Sequence, residues 1–143
     1  MSRMIDYVNP ELLSNDNRML PTESQEQRLL FGWAERMSYF HPELKLMFHV
    51  PNGGGRSKAE AGRFKAEGVK AGVPDIFLPV PSQGMHGLFI ELKRLKGGTV
   101  SREQKAWMEA LTMQGYAAVV CRGAAEAEEA ICDYLQIAKD QTA

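Results

Sequence analysis

The chain has 143 residues and a mass of 16.0 kDa, which fits one ordinary domain and leaves no room for two well-packed ones. A hydrophobic fraction of 44% and a charged fraction of 24% exclude a disordered or fibrous chain. With 17 Lys and Arg against 18 Asp and Glu, the formal net charge is -1, which excludes a uniformly basic nucleic-acid coat.

Cysteine usage and hydropathy indicate the compartment. The two cysteines, Cys121 and Cys132, are too few for a disulfide scaffold and lack the four-ligand pattern of a structural zinc site. No apolar run approaches the roughly 18 residues of a membrane span, and the first residues lack the pattern of a secretory signal. We therefore expect a cytoplasmic protein with no membrane partner.

The first predicted element is a helix that follows a polar N-terminal arm. Residues 1–20 show no sustained period and are predicted to be flexible, which leaves 21–143 as a single domain. Thr22 can form a capping box with Gln25, so the helix begins there and runs to about Tyr39.

Two acidic residues continue the apolar stripe of this helix toward its N-terminus. Leu30, Trp33 and Met37 recur at helical spacing, and the same spacing extended backwards reaches Glu26 and Glu23. Both acidic side chains are therefore predicted to face the core.

The middle of the chain predicts a strand, a helix and a hairpin. Leu46–Val50 is a short apolar run that ends at a Gly-rich turn, and Ser57 then caps a basic helix that ends near Glu67. Asp75–Val80 and Leu88–Lys93 are strand-like runs joined by a turn-rich segment, which indicates an antiparallel hairpin.

The C-terminal part alternates helix, strand and helix. Ser101 caps a helix that ends at Gly115, Tyr116–Cys121 is a short buried strand, and Ala124–Ala138 is a closing helix. Because the hairpin is antiparallel while the last strand arrives through a crossover helix, we expect an α/β domain with an αβββαβ core and a mixed β-sheet flanked by helices.

The hairpin brings together two acidic residues. Asp75 and Glu91 lie eight residues to either side of Gln83, so they should face each other with Cβ atoms about 4.5–5.5 Å apart. Two carboxylates at that range repel unless a proton or a cation lies between them. Because Mg²⁺ prefers oxygen ligands, the pair predicts a divalent-metal site.

Strand alternation adds two groups to this pair. Lys93 lies on the same face as Glu91, where its ammonium could orient a metal-bound water and stabilise negative charge on phosphoryl oxygens. The backbone carbonyl of Leu92 could supply one more oxygen ligand.

These residues resemble a known nuclease pattern. Pro74-Asp75 followed by Glu91-Leu92-Lys93 is similar to the PD-(D/E)xK nuclease signature. The surrounding segments, Gly72 to Phe77, Phe89 to Lys93 and Ser101 to Trp107, look like the virus-type replication-repair nuclease family, VRR-NUC, over about 21–135.

The resemblance implies a restriction-endonuclease-like fold, dependence on Mg²⁺ with Mn²⁺ as a substitute, and phosphodiester hydrolysis. It implies that Asp75 and Glu91 bind the metal, that Lys93 activates water and that an acid comes from the first helix. We assign that acid to Glu26, with Glu23 as the alternative. It also implies a supporting polar role for Gln104, although a capping box with Ser101 would explain this residue as well.

The charge is unevenly distributed. From Arg56 to Lys105 there are ten Lys and Arg and five Asp and Glu, so this window carries +5 and brackets the predicted metal residues. The Gly-rich turn lacks the P-loop spacing. A plain turn is the favoured reading of His49. The predicted DNA-binding residues are Asn52, Arg56, Lys58, Arg63 and Lys96.

Small stand-alone members of the family resemble dimeric junction-resolving enzymes, so the resemblance implies a homodimer that cuts branched DNA in a bacterial or phage-infected cell. Three alternatives remain: a flap, duplex, single-strand or restriction-type nuclease, a nucleic-acid-binding module that does not hydrolyse, and a structural protein.

Overall fold

A computed structural model describes residues 20–51 and 57–139. Its elements are helix α1 (Glu23–Met37), a 3-10 helix (Pro42–Leu46), strand β1 (Phe48–His49), helix α2 (Lys58–Ala66), strands β2 (Ile76–Leu78) and β3 (Leu88–Lys93), helix α3 (Arg102–Met113), strand β4 (Ala117–Arg122) and helix α4 (Ala124–Leu135). The predicted arm lies outside the described residues up to position 19, and Leu20 is buried.

The four strands form one mixed sheet in the order β1-β2-β3-β4. β2 pairs antiparallel with both β1 and β3, whereas β3 and β4 are parallel. The parallel pair requires a crossover, which α3 provides. The prediction of an α/β domain with an αβββαβ core and a mixed sheet is therefore confirmed.

Local hydrogen bonds explain where the helices begin. Both predicted capping boxes at the starts of α1 and α3 are formed, by Thr22 with Gln25 and by Ser101 with Gln104. At the end of α3, Gly115 has a φ of 92°, a conformation that glycine adopts without the steric cost of a side chain.

The core lies on one face of the sheet. Its strand residues are at most 2% exposed and are Ile76, Leu78, Leu88, Ile90, Leu92 and Cys121. α1 and α4 cover this face, and the predicted α1 stripe of Leu30, Trp33 and Met37 is buried there. α3 packs against β4 and has no buried residue of its own.

Some boundaries differ from the sequence prediction. The strand predicted at 46–50 is reduced to β1, because Leu46 belongs to the 3-10 helix and Pro51 has no N–H to extend the strand pairing. α1 ends two residues before the predicted Tyr39, and α4 ends three residues before the predicted Ala138. Within 20–51 and 57–139, no helix is long and apolar enough to cross a bilayer.

Candidate active site

A cavity of about 590 Å³ opens where β1, β2 and β3 meet the first turns of α1 and α3. Its wall includes the predicted residues Asp75, Glu91, Lys93 and Gln104. The loop before β2 closes one side, where a Cβ at Gly72 would lie 2.7 Å from the backbone of Glu103, so only glycine permits this approach to α3.

The predicted opposition of the two acids is confirmed by the strand register. Ile76 pairs with Ile90, so the next position places Asp75 opposite Glu91. An Asp75 carboxylate oxygen, Oδ2, accepts a hydrogen bond of 2.9 Å from the backbone N–H of Leu92, which holds the side chain against β3. Glu91 is 1% exposed, so its carboxyl is almost wholly removed from solvent.

One oxygen of Glu91 is held by two polar neighbours. The Gln104 amide donates to Glu91 Oε2 at 3.0 Å, and the buried Lys93 Nζ lies 3.4 Å from the same oxygen. Gln104 Oε1 in turn accepts from Lys93 Nζ at 3.3 Å and from the Ser101 N–H at 2.8 Å. The Gln104 side chain therefore both completes the capping box of α3 and contacts Glu91 and Lys93 in the cavity.

The other oxygen of Glu91 has no such neighbour. Among the described residues, Oε1 is buried and lacks a hydrogen-bond partner. Burial, and next the adjacent Asp75 carboxyl, raise the pKa of Glu91 to about 8, and Lys93 offsets only part of this rise. A buried, unsatisfied carboxyl oxygen beside a second carboxyl fits a hard cation as its missing partner.

The donor set fits Mg²⁺ or Mn²⁺. Within the part of the chain that the structure describes, no three His, Cys, Asp or Glu side chains are grouped closely enough to hold a metal by themselves. A cation between Asp75 and Glu91 would therefore keep coordination positions for water or substrate, as Mg²⁺ commonly does. The Leu92 carbonyl ligand stays a prediction.

The structure separates the two acids of α1. Glu23 lines the cavity, where desolvation and then the charge of Asp75 raise its pKa, partly offset by Lys93 and Arg94. Glu26 lies outside the cavity wall: it is buried, and its Oε1 accepts a 3.0 Å hydrogen bond from Ala124 N–H at the start of α4. The placement of Glu26 in the site is thus corrected to Glu23, because the α4 N-terminus takes the Glu26 carboxylate.

The cavity wall contains residues that the sequence did not single out as functional. His49, predicted to be part of a plain turn, lies in β1, and its Nδ1 is 2.9 Å from the Asp75 carbonyl oxygen. Because a carbonyl only accepts, Nδ1 carries the proton. Ser24 and Gln27 also line the cavity. Gln27 follows Glu23 by one helical turn, and this spacing could have predicted that the two side chains lie on the same face of α1.

The predicted DNA-binding residues are not gathered at the cavity wall. Lys58 and Arg63 belong to α2, which has no buried residue, and Lys96 lies in the loop after β3. The Arg122 guanidinium stabilises that loop by donating hydrogen bonds to the carbonyl oxygens of Arg94, Gly97 and Gly98. The remaining two candidates, Asn52 and Arg56, lie outside the described residues.

Two comparisons with known proteins found matches. The family model of the VRR-NUC domain matches residues 22–125. A solved structure described as a VRR_NUC domain protein aligns with a TM-score of 0.72 and 31% sequence identity, and the alignment covers 82% of this chain and 90% of that chain. The comparison with curated proteins gave no match.

Removing each of the two α1 acids should have unequal consequences for stability. Glu26→Ala should lower the free energy of unfolding by about 2 kcal/mol, because it leaves the buried Ala124 N–H without its charged acceptor. Glu23→Ala should change it by less than about 0.5 kcal/mol, since Glu23 is exposed. Urea denaturation followed by circular dichroism measures both, and equal losses would contradict the separation.

Glu91 should make stability depend on pH. Its pKa is about 8 in the folded protein and 4.5 ordinarily, so the unfolded chain ionises first and wild type loses stability as pH rises from 5 to 8. Glu91→Gln does not titrate at this position, so its stability relative to wild type should rise by about 3 kcal/mol between pH 5 and pH 8 in EDTA. Urea titrations at several pH values test this, and a constant difference would refute it.

Proposed function

This chain belongs to the VRR-NUC family of nucleases, and we propose that it is a metal-dependent endonuclease that hydrolyses phosphodiester bonds in branched DNA. The observation that carries the proposal is the opposition of Asp75 to the buried Glu91, with one oxygen of Glu91 held by Lys93 and Gln104 and the other unsatisfied. The cytoplasm of a bacterial or phage-infected cell is the proposed location.

Asp75 and Glu91 would hold the cation, with the Leu92 carbonyl as a further ligand, and Mg²⁺ with Mn²⁺ as substitute fits these oxygens. When bound, such a cation lowers the pKa of a water molecule and neutralises charge on the phosphoryl group. Asp75 is positioned for this task by the Leu92 N–H, and Glu91 by the Gln104 amide.

Lys93 acts on the nucleophile and on the developing charge. Its ammonium lies in the cavity between Glu91 Oε2 and Gln104 Oε1, so it can orient a water molecule and donate to a phosphoryl oxygen. Its low exposure strengthens this electrostatic effect, because little solvent screens the charge. Glu23, on the same wall, is the first-helix acid of the proposed site.

The surroundings of the site favour a nucleic-acid substrate. Lys58 and Arg63 on the exposed helix α2, and Lys96 in the loop that Arg122 braces, are proposed to contact phosphates together with Asn52 and Arg56. The excess of positive charge in this part of the chain supports electrostatic attraction of a DNA backbone.

We propose a homodimer by analogy with the dimeric junction-resolving enzymes that members of this family resemble. Two subunits related by a two-fold axis would present two active sites, which suits symmetric nicking of a four-way junction. Flap, duplex or single-strand cutting, and DNA binding without hydrolysis, are the alternatives that the cleavage experiment separates.

The substrate class is tested with labelled four-way junction, flap, duplex and single-stranded DNA in Mg²⁺. Wild type should cut the junction at least about ten-fold faster than the duplex, and Glu91→Gln should cut none of the four. Equal cutting of all four by wild type would refute the preference for branched DNA. Binding without any cutting would favour the non-hydrolysing module.

Replacing Lys93 should separate binding from catalysis. Lys93→Ala should lower the rate of cutting by about 10²- to 10³-fold while the Kd for DNA changes by less than about three-fold, because the ammonium acts mainly on the transition state. Lys105→Ala removes an exposed lysine from α3 and is the matched control for loss of one positive charge. Equal losses of binding and cutting in Lys93→Ala would contradict its role.

A further inference from the structure

A row of aromatic side chains crosses the sheet beside the proposed active site. The ring of Phe48 meets Phe77 edge-on, with centroids 5.8 Å apart, and Phe77 stacks on Phe89 at 4.1 Å. Tyr116 meets the Phe89 ring edge-on at 5.4 Å. These four residues, which we term the aromatic row, connect β1, β2, β3 and the residue before β4.

Along β2 and β3, the aromatic row lies two residues from the carboxyl pair. Phe77 is opposite Phe89 in the register, and each lies two residues from one of the opposed acids, Asp75 or Glu91. Residues two apart on a strand point to the same face and are separated by about 7 Å. The aromatic row and the acids therefore lie on the same face of the sheet. The distance between them is close to the length of one nucleotide in an extended DNA strand.

This face is only partly covered. Phe48 is 47% exposed, and the other three aromatic side chains are half-buried. α3 packs over β4, but none of its residues is buried. Large aromatic side chains left in contact with water next to a catalytic cavity commonly mark a binding surface.

Charge favours nucleic acid over a second protein subunit as the occupant. Between Ser57 and Lys105, the segment that contains β2 and β3, nine Lys and Arg outnumber five Asp and Glu. Two copies joined through this face would bring two positively charged segments together, which is unfavourable. A DNA strand would supply phosphates for the charges and bases for the rings.

We propose that the aromatic row stacks on unpaired bases adjacent to the phosphodiester bound at Asp75 and Glu91. Bases in a duplex are stacked on each other, so the row selects strands with an unpaired nucleotide beside the scissile bond. This inference rests on the proposed nuclease function for the position of the phosphodiester, and it assigns unpaired nucleotides at the branch as the feature of branched DNA that the row recognises.

Binding measured without cleavage tests the inference. We would compare Phe48→Leu and Phe48→Trp with wild type, using fluorescence anisotropy on single-stranded and duplex oligonucleotides in EDTA. Phe48→Leu keeps an apolar side chain without a ring, so its affinity for single strands should fall about ten-fold while its duplex affinity changes less than two-fold. Phe48→Trp should retain the wild-type affinity.

A spectroscopic readout and a control complete the experiment. Wild type should quench 2-aminopurine in a single strand on binding, and Phe48→Leu should quench it much less. Leu46→Ala removes another exposed apolar side chain, 54% exposed, that lies outside the row, and it should behave as wild type. Thermal unfolding of each variant checks that the fold is retained.

Three results would overturn the inference. One is an equal loss of affinity for single-stranded and duplex DNA in Phe48→Leu. Another is a Phe48→Leu protein that binds both kinds of DNA with wild-type affinity. The third is conversion of a dimer to a monomer by Phe48→Leu, seen in sedimentation, with single-strand binding unchanged, which would assign the row to a subunit interface. Failure of the cleavage panel alone would refute the nuclease function and leave the stacking result standing.

Discussion

The opposition of two carboxyl groups, one of them almost fully buried, is the constraint on which the site depends. Asp75 and Glu91 face each other because β2 and β3 pair in one register, and one face of these strands is fully buried. Ile90 and Leu92 alternate with Glu91 and Lys93 along β3, so a slip of one residue would bury the charges in the core and expose the apolar side chains. The hydrophobic core therefore holds the acids in place.

This arrangement disfavours the ionised form of Glu91. Burial and the neighbouring Asp75 raise its pKa, and Lys93 compensates only in part. One carboxyl oxygen is satisfied by Gln104 and Lys93, and the other is left without a partner among the described residues. The two carboxyl groups are therefore hard to ionise together unless a positive charge lies between them, which is what a bound divalent cation would supply.

Polar side chains in the site also have structural tasks. Gln104 completes the capping box of α3 and at the same time holds Glu91 and Lys93, so the start of that helix is part of the site. One turn of α1 contains two acids with different tasks. Glu26 caps α4 and fixes the position of α1, which in turn places Glu23 at the cavity wall.

The amino-acid sequence was sufficient for features that depend on neighbouring residues. Capping boxes, apolar periods and the symmetric spacing of Asp75 and Glu91 about the hairpin involve a few residues or one turn, so pattern and spacing predicted them. The same holds for the order of helices and strands and for the alternation that groups Glu91 with Lys93. The resemblance to the nuclease family rested on these short segments, and the comparisons confirmed it.

Only the tertiary structure decided which distant segments meet. Glu26 and its partner Ala124 are 98 residues apart, and nothing local distinguishes Glu26 from Glu23 until α4 packs against α1. The contact of His49 with Asp75 and the row from Phe48 to Tyr116 likewise require strands and a loop to come together in one sheet. Helical and strand periods specify which face of an element is buried, whereas the partner of each side chain depends on how those faces dock.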